Sequence, residues 1–426
     1  MTAVVVLTIA AAVARLPVLV SRPMGTDEAA SFLYYGSQPL WVAVSIYGSP
    51  NNHILHSVLM HLTFKLFGPA EWALRLPAFL AGIAIIPLTY VAARALGDRG
   101  ALLATALAAS APVLADYSTN ARGYTMLCCF ALVCTIAMAQ IKSGSARYPE
   151  IVFIVSAALG FYTVPVMLYP FVMLVVWGGR KAVRPAIVAL ALAAVLYLPV
   201  FVVSGIGMVI SNPYVQPAPD FFRQLAAYPA TVWKAMFVSV PAVIQILIAI
   251  GFANGLRRHW RLWIGIVPVI AIVLLQRVAP FPRVWLPLLL LLFITASAAW
   301  PWERSELAVA AVLFVTLTIC TLSFERLRET GELRAVREIV RELNRRAAPG
   351  DPVLATPPSD IPIAFYTRRV EALRPDRNRA RLFVVENRDY HQDLMSTLRF
   401  FAMDPRRYAI RKVRDFGSAA LYELRR

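Results

Sequence analysis

Long apolar blocks recur along most of this chain, and they constrain its fold more than any other feature. Apolar residues make up 59% of the sequence, whereas soluble globular proteins average about 45–50%. Many blocks approach the roughly 20 residues that a helix needs to cross a bilayer, so the sequence predicts a polytopic α-helical membrane protein with about eleven transmembrane helices. The blocks cover residues 1–20, 76–93, 100–115, 124–140, 150–163, 164–178, 186–204, 235–253, 262–278, 284–299 and 306–323.

Charge is segregated along the chain and predicts two domains. Residues 324–426 hold 22 of the 42 Lys and Arg residues and 15 of the 24 acids. We therefore expect a transmembrane domain over residues 1–323 and a small C-terminal α/β domain over residues 324–426. Inside the second domain, "RLFVVEN" and "PVLATP" are typical of short buried strands, and "YAIRKVRDFGSAALYELRR" predicts a hairpin.

Basic residues in the short turns indicate how the chain is oriented. The first block lacks a basic n-region and a cleavage site, so we interpret it as a retained span rather than a signal peptide. If the N-terminus is cytoplasmic, the short inner turns hold 11 of the 20 Lys and Arg residues that precede residue 324. The first outer loop, residues 21–75, and the C-terminal domain then lie outside the cytoplasm. Residues 53–67 predict an interfacial helix within that loop.

Polar side chains that could take part in a reaction cluster on the outer side of the predicted spans. The segments that carry them are "SRPMGTDEAASFLYYG" with Asp27 and Glu28, "SPNNHILH" with Asn52 and His53, "DYSTNARGY" with Asn120, Arg122 and Tyr124, "FYTVP" with Tyr162, and "QRVAPFPRVWLP" with Arg277 and Arg283. Ionisable groups near a bilayer are costly to desolvate and are functional hypotheses by default. A carboxylate can accept a proton from a hydroxyl, and arginines can hold a lipid phosphate. The set is typical of sugar transfer from a lipid-phosphate donor. Because guanidinium groups can stabilise the departing phosphate, this chemistry requires no cofactor and no obligatory divalent metal.

Several motifs, taken together and in their order along the chain, resemble those of the GT-C superfamily of polyprenyl-phosphate-sugar-dependent glycosyltransferases. The resemblance is to the branch that contains aminoarabinose transferases and protein O-mannosyltransferases. The motifs are "TDEAASF", "NNHILHSVLMHLTFKLFG", "WALRLPAFLAGIAIIPLTYVAARALGDRGALLA", "YSTNARGYTML", "GFYT" and "PRVWLPLLLLLF". The resemblance implies a GT-C fold and a glycosyltransferase of the bacterial inner membrane. Its donor would be a polyprenyl-phosphate-linked sugar, and its acceptor a lipid, glycan or protein of the cell envelope. By analogy with single-displacement glycosidases, we expect transfer to invert the anomeric centre.

The resemblance also implies roles for particular residues. Asp27 matches the first-loop acid and would be the general base, with Glu28 orienting the base or the acceptor. Arg122 and Tyr124 match the family's Arg-x-Tyr motif and, with Arg283, would bind the donor phosphate. Substrate-binding candidates are Asn52, His53, Asn120 and Tyr162.

Two departures from the family pattern bear on substrate choice. Relatives usually carry an acid at the position of Asn120, and many carry an aromatic residue or histidine where this chain has Val164-Pro165. Both departures concern the acceptor and the donor sugar rather than the fold.

Other readings of these residues remain open at the level of sequence. Asp27 and Glu28 could cap a helix N-terminus, the arginines could snorkel to lipid headgroups, and His53, His56 and His61 could bind a metal. A transporter or flippase of lipid-linked sugars would bind the same phosphate without transfer, but it should show inverted repeats, and we find none. A polysaccharide ligase should have a long outer loop, late in the chain, that is rich in arginine and histidine. Residues 205–234 contain one arginine and no histidine, so the sequence disfavours a ligase. Basic turns mark topology, so we expect no nucleic-acid partner.

Overall fold

The described residues of the protein form two compact units. The computed structural model covers residues 1–212, 216–298, 300, 303–322, 332–348, 350–367 and 380–426. One unit comprises Met1–Val20 and Tyr35–Arg326, and the other comprises Ser21–Tyr34 and Leu327–Arg426. The sequence-based boundary at residue 323 leaves residues 21–34 with the transmembrane part, whereas in the structure they pack with the C-terminal part.

The first unit is helical throughout its described residues. Helix α2 (Thr26–Ser31) belongs to the second unit. The helices of the first unit are, in chain order, α1 (Thr2–Ser21), α3 (Leu40–Ser45), α4 (Ile54–Phe67), α5 (Glu71–Ala95), α6 (Ala101–Ser110), α7 (Pro112–Ser118), α8 (Tyr124–Ser143), α9 (Pro149–Thr163), α10 (Leu168–Gly178), α11 (Arg180–Leu196), α12 (Leu198–Val203), α13 (Gly207–Ile210), α14 (Phe221–Met236), α15 (Ala242–Trp263), α16 (Ile266–Gln276), α17 (Leu286–Ser297) and α18 (Glu303–Leu322). Each apolar block predicted from the sequence falls on one or two of these helices.

Several of the described helices meet the requirements for crossing a membrane. Four are long and apolar enough by themselves: α1, α5, α8 and the Ser305–Leu322 part of α18. The number rises to six if the bent pairs α6–α7 and α15–α16, with angles of 59° and 70°, each form one span. Four shorter apolar helices accompany them. The chain is therefore a multi-pass membrane protein, and a total of about eleven crossings stays a prediction.

A proline and a buried arginine define the bend between α6 and α7. Ala111 precedes Pro112 and adopts an extended ψ of 123°, as the residue before a proline usually does. This break frees carbonyl groups at the end of α6, and Arg15 of α1 donates hydrogen bonds to the carbonyl oxygens of Ala109 at 2.8 Å and Gly82 at 3.0 Å. Backbone groups in a membrane protein need such partners because lipid supplies none. The bend therefore directs α7 towards the loop that carries Arg122.

The second unit contains the predicted small α/β domain. Its sheet has the order β1-β2-β4-β3, with β1 parallel to β2 and the other neighbours antiparallel. Helices α19 and α20 pack against one face through Val336, Ile339 and Ile363, and α21 packs against the other through Leu398. The element bounds are β1 (Val353–Leu354), β2 (Arg381–Asn387), β3 (Ala409–Asp415), β4 (Ala419–Arg425), α19 (Val336–Arg346), α20 (Asp360–Thr367) and α21 (Leu394–Phe400). The predicted strands and hairpin are confirmed. Residues 323–331, which precede this unit's C-terminal part, lie outside the described residues.

The segment that carries Asp27 and Glu28 is anchored in this second unit. The Arg22 guanidinium is fully buried and forms an ion pair with Glu332, with nitrogen–oxygen distances of 2.7 and 2.8 Å. The Met24 N–H donates to the Tyr366 hydroxyl at 2.9 Å, and Phe32 packs edge-to-face on Phe365. These contacts join residues more than 300 positions apart in the chain, which explains why the sequence pattern did not reveal them.

Replacing Arg22 tests how firmly this anchor holds. We expect Arg22→Leu to lower the free energy of unfolding by about 3–5 kcal/mol, because it leaves the buried Glu332 carboxylate without the guanidinium that now compensates its charge. Thermal unfolding of the purified protein measures the loss. The matched control is Arg334→Leu, which removes a 3.6 Å ion pair to Asp389 whose side chains are 47% and 25% exposed. That change should cost less than about 1 kcal/mol, and equal losses in the two variants would contradict the anchor.

Candidate active site

The candidate site in the first unit begins where α4 meets the loop between α7 and α8. His53 is the residue before α4 and is 3% exposed. Its Nδ1 accepts a hydrogen bond from the Gly123 N–H at 2.7 Å, and its Nε2 lies 3.2 Å from an Arg122 Nη2. A side chain at position 123 would bring its Cβ within 2.7 Å of Thr163 and 3.1 Å of His53. Glycine therefore permits the close approach of this loop to α4 and α9.

Tyr124, the first residue of α8, is the centre of a cluster of aromatic and cationic groups. The guanidinium carbons of Arg122 and Arg283 lie 5.6 and 5.7 Å from the centre of its ring. The Arg283 Nε donates to the Tyr124 hydroxyl at 3.0 Å. The rings of His53 and Tyr117 pack on the same ring at 4.9 and 5.4 Å. Three residues predicted to bind the donor phosphate, Arg122, Tyr124 and Arg283, are therefore brought together.

Arg283 is held in a short 3₁₀ turn, Pro282–Trp285, that packs against α14. The Trp285 Nε1–H donates to the Tyr228 hydroxyl at 2.5 Å, and that hydroxyl donates to the Pro280 carbonyl at 2.6 Å. Trp285 also stacks on Tyr169, with ring centres 5.1 Å apart. The sequence did not predict this contact, because Tyr228 and Trp285 lie 57 positions apart in the chain. The aromatic residues of "AAYPATVW" and "PRVWLP" were the available signal.

The electrostatic surroundings keep His53 neutral. Burial lowers the pKa of its imidazole well below the ordinary value, and the positive charges of Arg122 and Arg283 and the neighbouring His56 lower it further. Two buried guanidinium groups and a neutral imidazole thus converge on one region. An arrangement of this kind can bind an anion and stabilise negative charge that develops on it.

The remaining substrate-binding candidates have different surroundings. The side-chain amide of Asn120 is fully buried, and neither its oxygen nor its nitrogen has a hydrogen-bond partner among the described residues. Asn52 donates to the carbonyl oxygens of Ala43 and Ile46 and accepts from Ser57, so it fixes the turn before α4. Tyr162 packs edge-to-face on Tyr197 at 5.9 Å.

The histidines on α4 do not form a metal cluster with neighbouring groups. His61 Nδ1 lies 3.0 Å from the Gly36 carbonyl oxygen. Within the part of the chain that the structure describes, no three His, Cys, Asp or Glu side chains lie close enough together to hold a metal ion.

Asp27 and Glu28 lie in the first turn of α2 in the second unit. The buried Glu28 carboxylate accepts a hydrogen bond from the Gly25 N–H at 3.0 Å, as an acid in the third helical position commonly does. Asp27 is partly exposed. Glu28 therefore caps α2, the short helix that carries Asp27. This contact is the one expected of Glu28 if the pair caps a helix N-terminus.

Solved structures decide the identity of the fold. The crystal structure of ArnT from Cupriavidus metallidurans in the apo state matches with a TM-score of 0.68 and 15% sequence identity, over 98% of this chain and 97% of that chain. The structure of the same protein bound to undecaprenyl phosphate gives a TM-score of 0.65 with the same identity and coverage. This chain has the GT-C fold. The fold class predicted from the sequence is confirmed.

A family model adds a similarity at the level of sequence. The model described as dolichyl-phosphate-mannose-protein mannosyltransferase matches residues 50–205. This region is a little over a third of the chain and includes His53, Arg122 and Tyr124. A search of curated proteins finds no match. The GT-C fold is therefore combined with a local sequence similarity that spans most of the candidate site.

Proposed function

We propose that this protein is a membrane glycosyltransferase that moves a sugar from a polyprenyl-phosphate carrier to a hydroxyl group of a cell-envelope acceptor. The observation that carries the proposal is the pair of buried arginines whose guanidinium carbons lie 5.6 and 5.7 Å from the Tyr124 ring centre, next to neutral His53. Such a pair suits the phosphate of a lipid carrier, since arginine binds phosphate oxygens with two parallel hydrogen bonds. The similarity to ArnT, one of whose structures is bound to undecaprenyl phosphate, supports the same class of donor.

The proposed reaction is a single displacement. The acceptor oxygen forms a bond to the anomeric carbon while the bond from that carbon to the phosphate oxygen breaks. Asp27 takes the proton of the acceptor hydroxyl, and Arg122, Arg283 and Tyr124 hold the polyprenyl phosphate that leaves. Attack from the face opposite the phosphate inverts the anomeric centre, as in glycosidases that act by one displacement.

Other residues of the site would select or position the substrates. The unpartnered amide of Asn120 supports contact with a polar substrate atom, because a buried amide without a hydrogen bond costs free energy. Glu28 would position Asp27 by capping α2. Asn52 would act indirectly through the turn before His53, and Tyr162 would border the acceptor side. No cofactor takes part in this scheme.

We also propose that the protein resides in the bacterial inner membrane with its N-terminus in the cytoplasm. The charge bias of the short turns supports this orientation. The site and the C-terminal domain would then face the extracytoplasmic side, where a lipid, glycan or protein acceptor is found. Membrane lipids would surround the helices.

The donor class can be tested with the purified protein in nanodiscs. We expect sugar transfer to envelope extracts from a radiolabelled polyprenyl-phosphate sugar and none from the corresponding nucleotide sugar. Transfer from the nucleotide sugar alone would contradict the proposal. Binding of the lipid donor without any transfer would favour the transporter instead.

A further inference from the structure

The hydrogen-bonding pattern around His53 places two donors opposite each other. A backbone N–H can only donate, so the Gly123 N–H at 2.7 Å requires Nδ1 to be the acceptor. A neutral imidazole with an unprotonated Nδ1 carries its hydrogen on Nε2. That Nε2–H faces an Arg122 nitrogen at 3.2 Å, and a guanidinium group has no acceptor. Two donors therefore face each other.

Protonation of His53 would not relieve this mismatch. An imidazolium ion would turn Nδ1 into a donor as well, so that it would oppose the Gly123 N–H. The groups that face the ring are His56 on α4, Arg122 in the loop, Tyr124 on α8 and Arg283 in the 3₁₀ turn. Two of these four carry positive charge, which disfavours a third cation in a buried place. What the Nε2–H needs is an oxygen atom that accepts its hydrogen.

We propose that the His53 Nε2–H is a neutral hydrogen-bond donor to a phosphate oxygen of the polyprenyl carrier, and that it acts together with Arg122. This inference rests on the proposed function and assigns a specific role in it to His53 and Gly123. The Gly123 N–H fixes the tautomer, so the donor points to the phosphate before the ligand arrives. His53 keeps its proton throughout.

The proposal explains why a neutral donor is useful at this position. The phosphate of a polyprenyl-phosphate sugar is a diester with one negative charge, and the released polyprenyl phosphate is a monoester with up to two. Donors that are already oriented stabilise the charge that develops in the transition state. A neutral imidazole adds such a donor without another buried cation beside Arg122 and Arg283.

Two substitutions of His53 separate the roles of its two nitrogens. His53→Gln places an amide N–H near the position of Nε2, and His53→Asn places an amide oxygen near the position of Nδ1. The measurement is the affinity of purified protein in nanodiscs for undecaprenyl phosphate, with thermal unfolding as the check on folding. We expect Asn to weaken binding about 10- to 100-fold, the value of a hydrogen bond to a charged group. Gln should stay within about threefold of the wild type, since it keeps that donor.

The outcomes distinguish this inference from the proposed function. Suppose that the wild type and His53→Asn bind undecaprenyl phosphate equally well and His53→Gln does not. His53 then acts only as the acceptor of the Gly123 hydrogen bond, and the inference is overturned. If both variants bind like the wild type, the inference is also overturned and the donor class stands. If the wild type itself does not bind undecaprenyl phosphate, the proposed donor fails, and the inference fails with it.

Nitrogen-15 NMR of histidine-labelled protein tests the tautomer without activity. The chain has five histidines, and comparison with the His53→Asn variant assigns the signals of His53. We expect the Nε2–H tautomer, unchanged between about pH 6 and pH 8, where an ordinary histidine with a pKa of about 6.5 titrates. The Nδ1–H tautomer, or titration near pH 6.5, would overturn the inference.

Discussion

Asp27→Asn is expected to lower the rate of sugar transfer about 10²- to 10⁴-fold, the usual contribution of a general base. The asparagine keeps the size of the side chain and its place in the first turn of α2, but it cannot take the proton of the acceptor hydroxyl. Affinity for undecaprenyl phosphate should stay within about twofold, because in this mechanism the carboxylate acts on the acceptor rather than on the phosphate. Initial rates with a labelled polyprenyl-phosphate sugar provide the measurement.

Two acid-to-amide substitutions control this experiment. Asp220→Asn changes an exposed acid at the start of α14 and should leave the rate unchanged. Glu28→Gln keeps an oxygen that can accept from the Gly25 N–H, so its loss should be much smaller than that of Asp27→Asn. A wild-type rate in Asp27→Asn would exclude Asp27 as the base, and a larger loss in Glu28→Gln than in Asp27→Asn would favour Glu28 for that role.

Arg283→Gln is expected to lower kcat/KM about 10²- to 10³-fold, the range found when one preorganised donor to a developing oxyanion is removed. The guanidinium is 9% exposed and donates its Nε–H to Tyr124. Glutamine retains a donor but loses both the charge and the planar fork that fits phosphate. Weaker binding of undecaprenyl phosphate should accompany the loss of rate, which distinguishes this variant from Asp27→Asn.

Arg277→Gln is the matched control for Arg283→Gln. Arg277 ends α16 in a left-handed conformation with φ of 52°, and its side chain is exposed. Because it lies on the surface just before the same 3₁₀ turn, its loss should change kcat/KM less than about twofold. Equal losses in the two variants would indicate a general effect of charge near the membrane and would contradict a specific contact between Arg283 and the donor phosphate.

The sequence predicted those parts of the fold that depend on local pattern. Apolar blocks identified the helices, a short apolar run identified strand β2, and residues 408–426 predicted the hairpin of β3 and β4. The Arg-x-Tyr motif placed Arg122 and Tyr124 two residues apart, and the structure brings Arg283 to the same tyrosine ring. Pairing between His53 and Gly123 depends on how α4 packs near α8 and α9, which no local pattern encodes.

Long-range packing accounts for what the sequence did not predict. Residues 21–34 join the second unit because Arg22 pairs with Glu332, and their local composition contains no sign of that partner. Most of helix α14 lies outside the apolar blocks of the sequence. The hydrogen bond between Tyr228 of this helix and Trp285 is visible only in three dimensions. The unpartnered amide of Asn120 is likewise a property of its surroundings, whereas the sequence showed only the absence of an acid.

The most direct test of the central claim is to count products after incubation of proteoliposomes with a polyprenyl-phosphate sugar and envelope acceptor. Mass spectrometry would measure free polyprenyl phosphate and glycosylated acceptor in the same sample. The account predicts equal molar amounts of both, formed by the wild type and nearly abolished by Asp27→Asn. Labelled sugar that crosses the bilayer still attached to its lipid, at equal rates in both proteins and with no glycosylated acceptor, would contradict it.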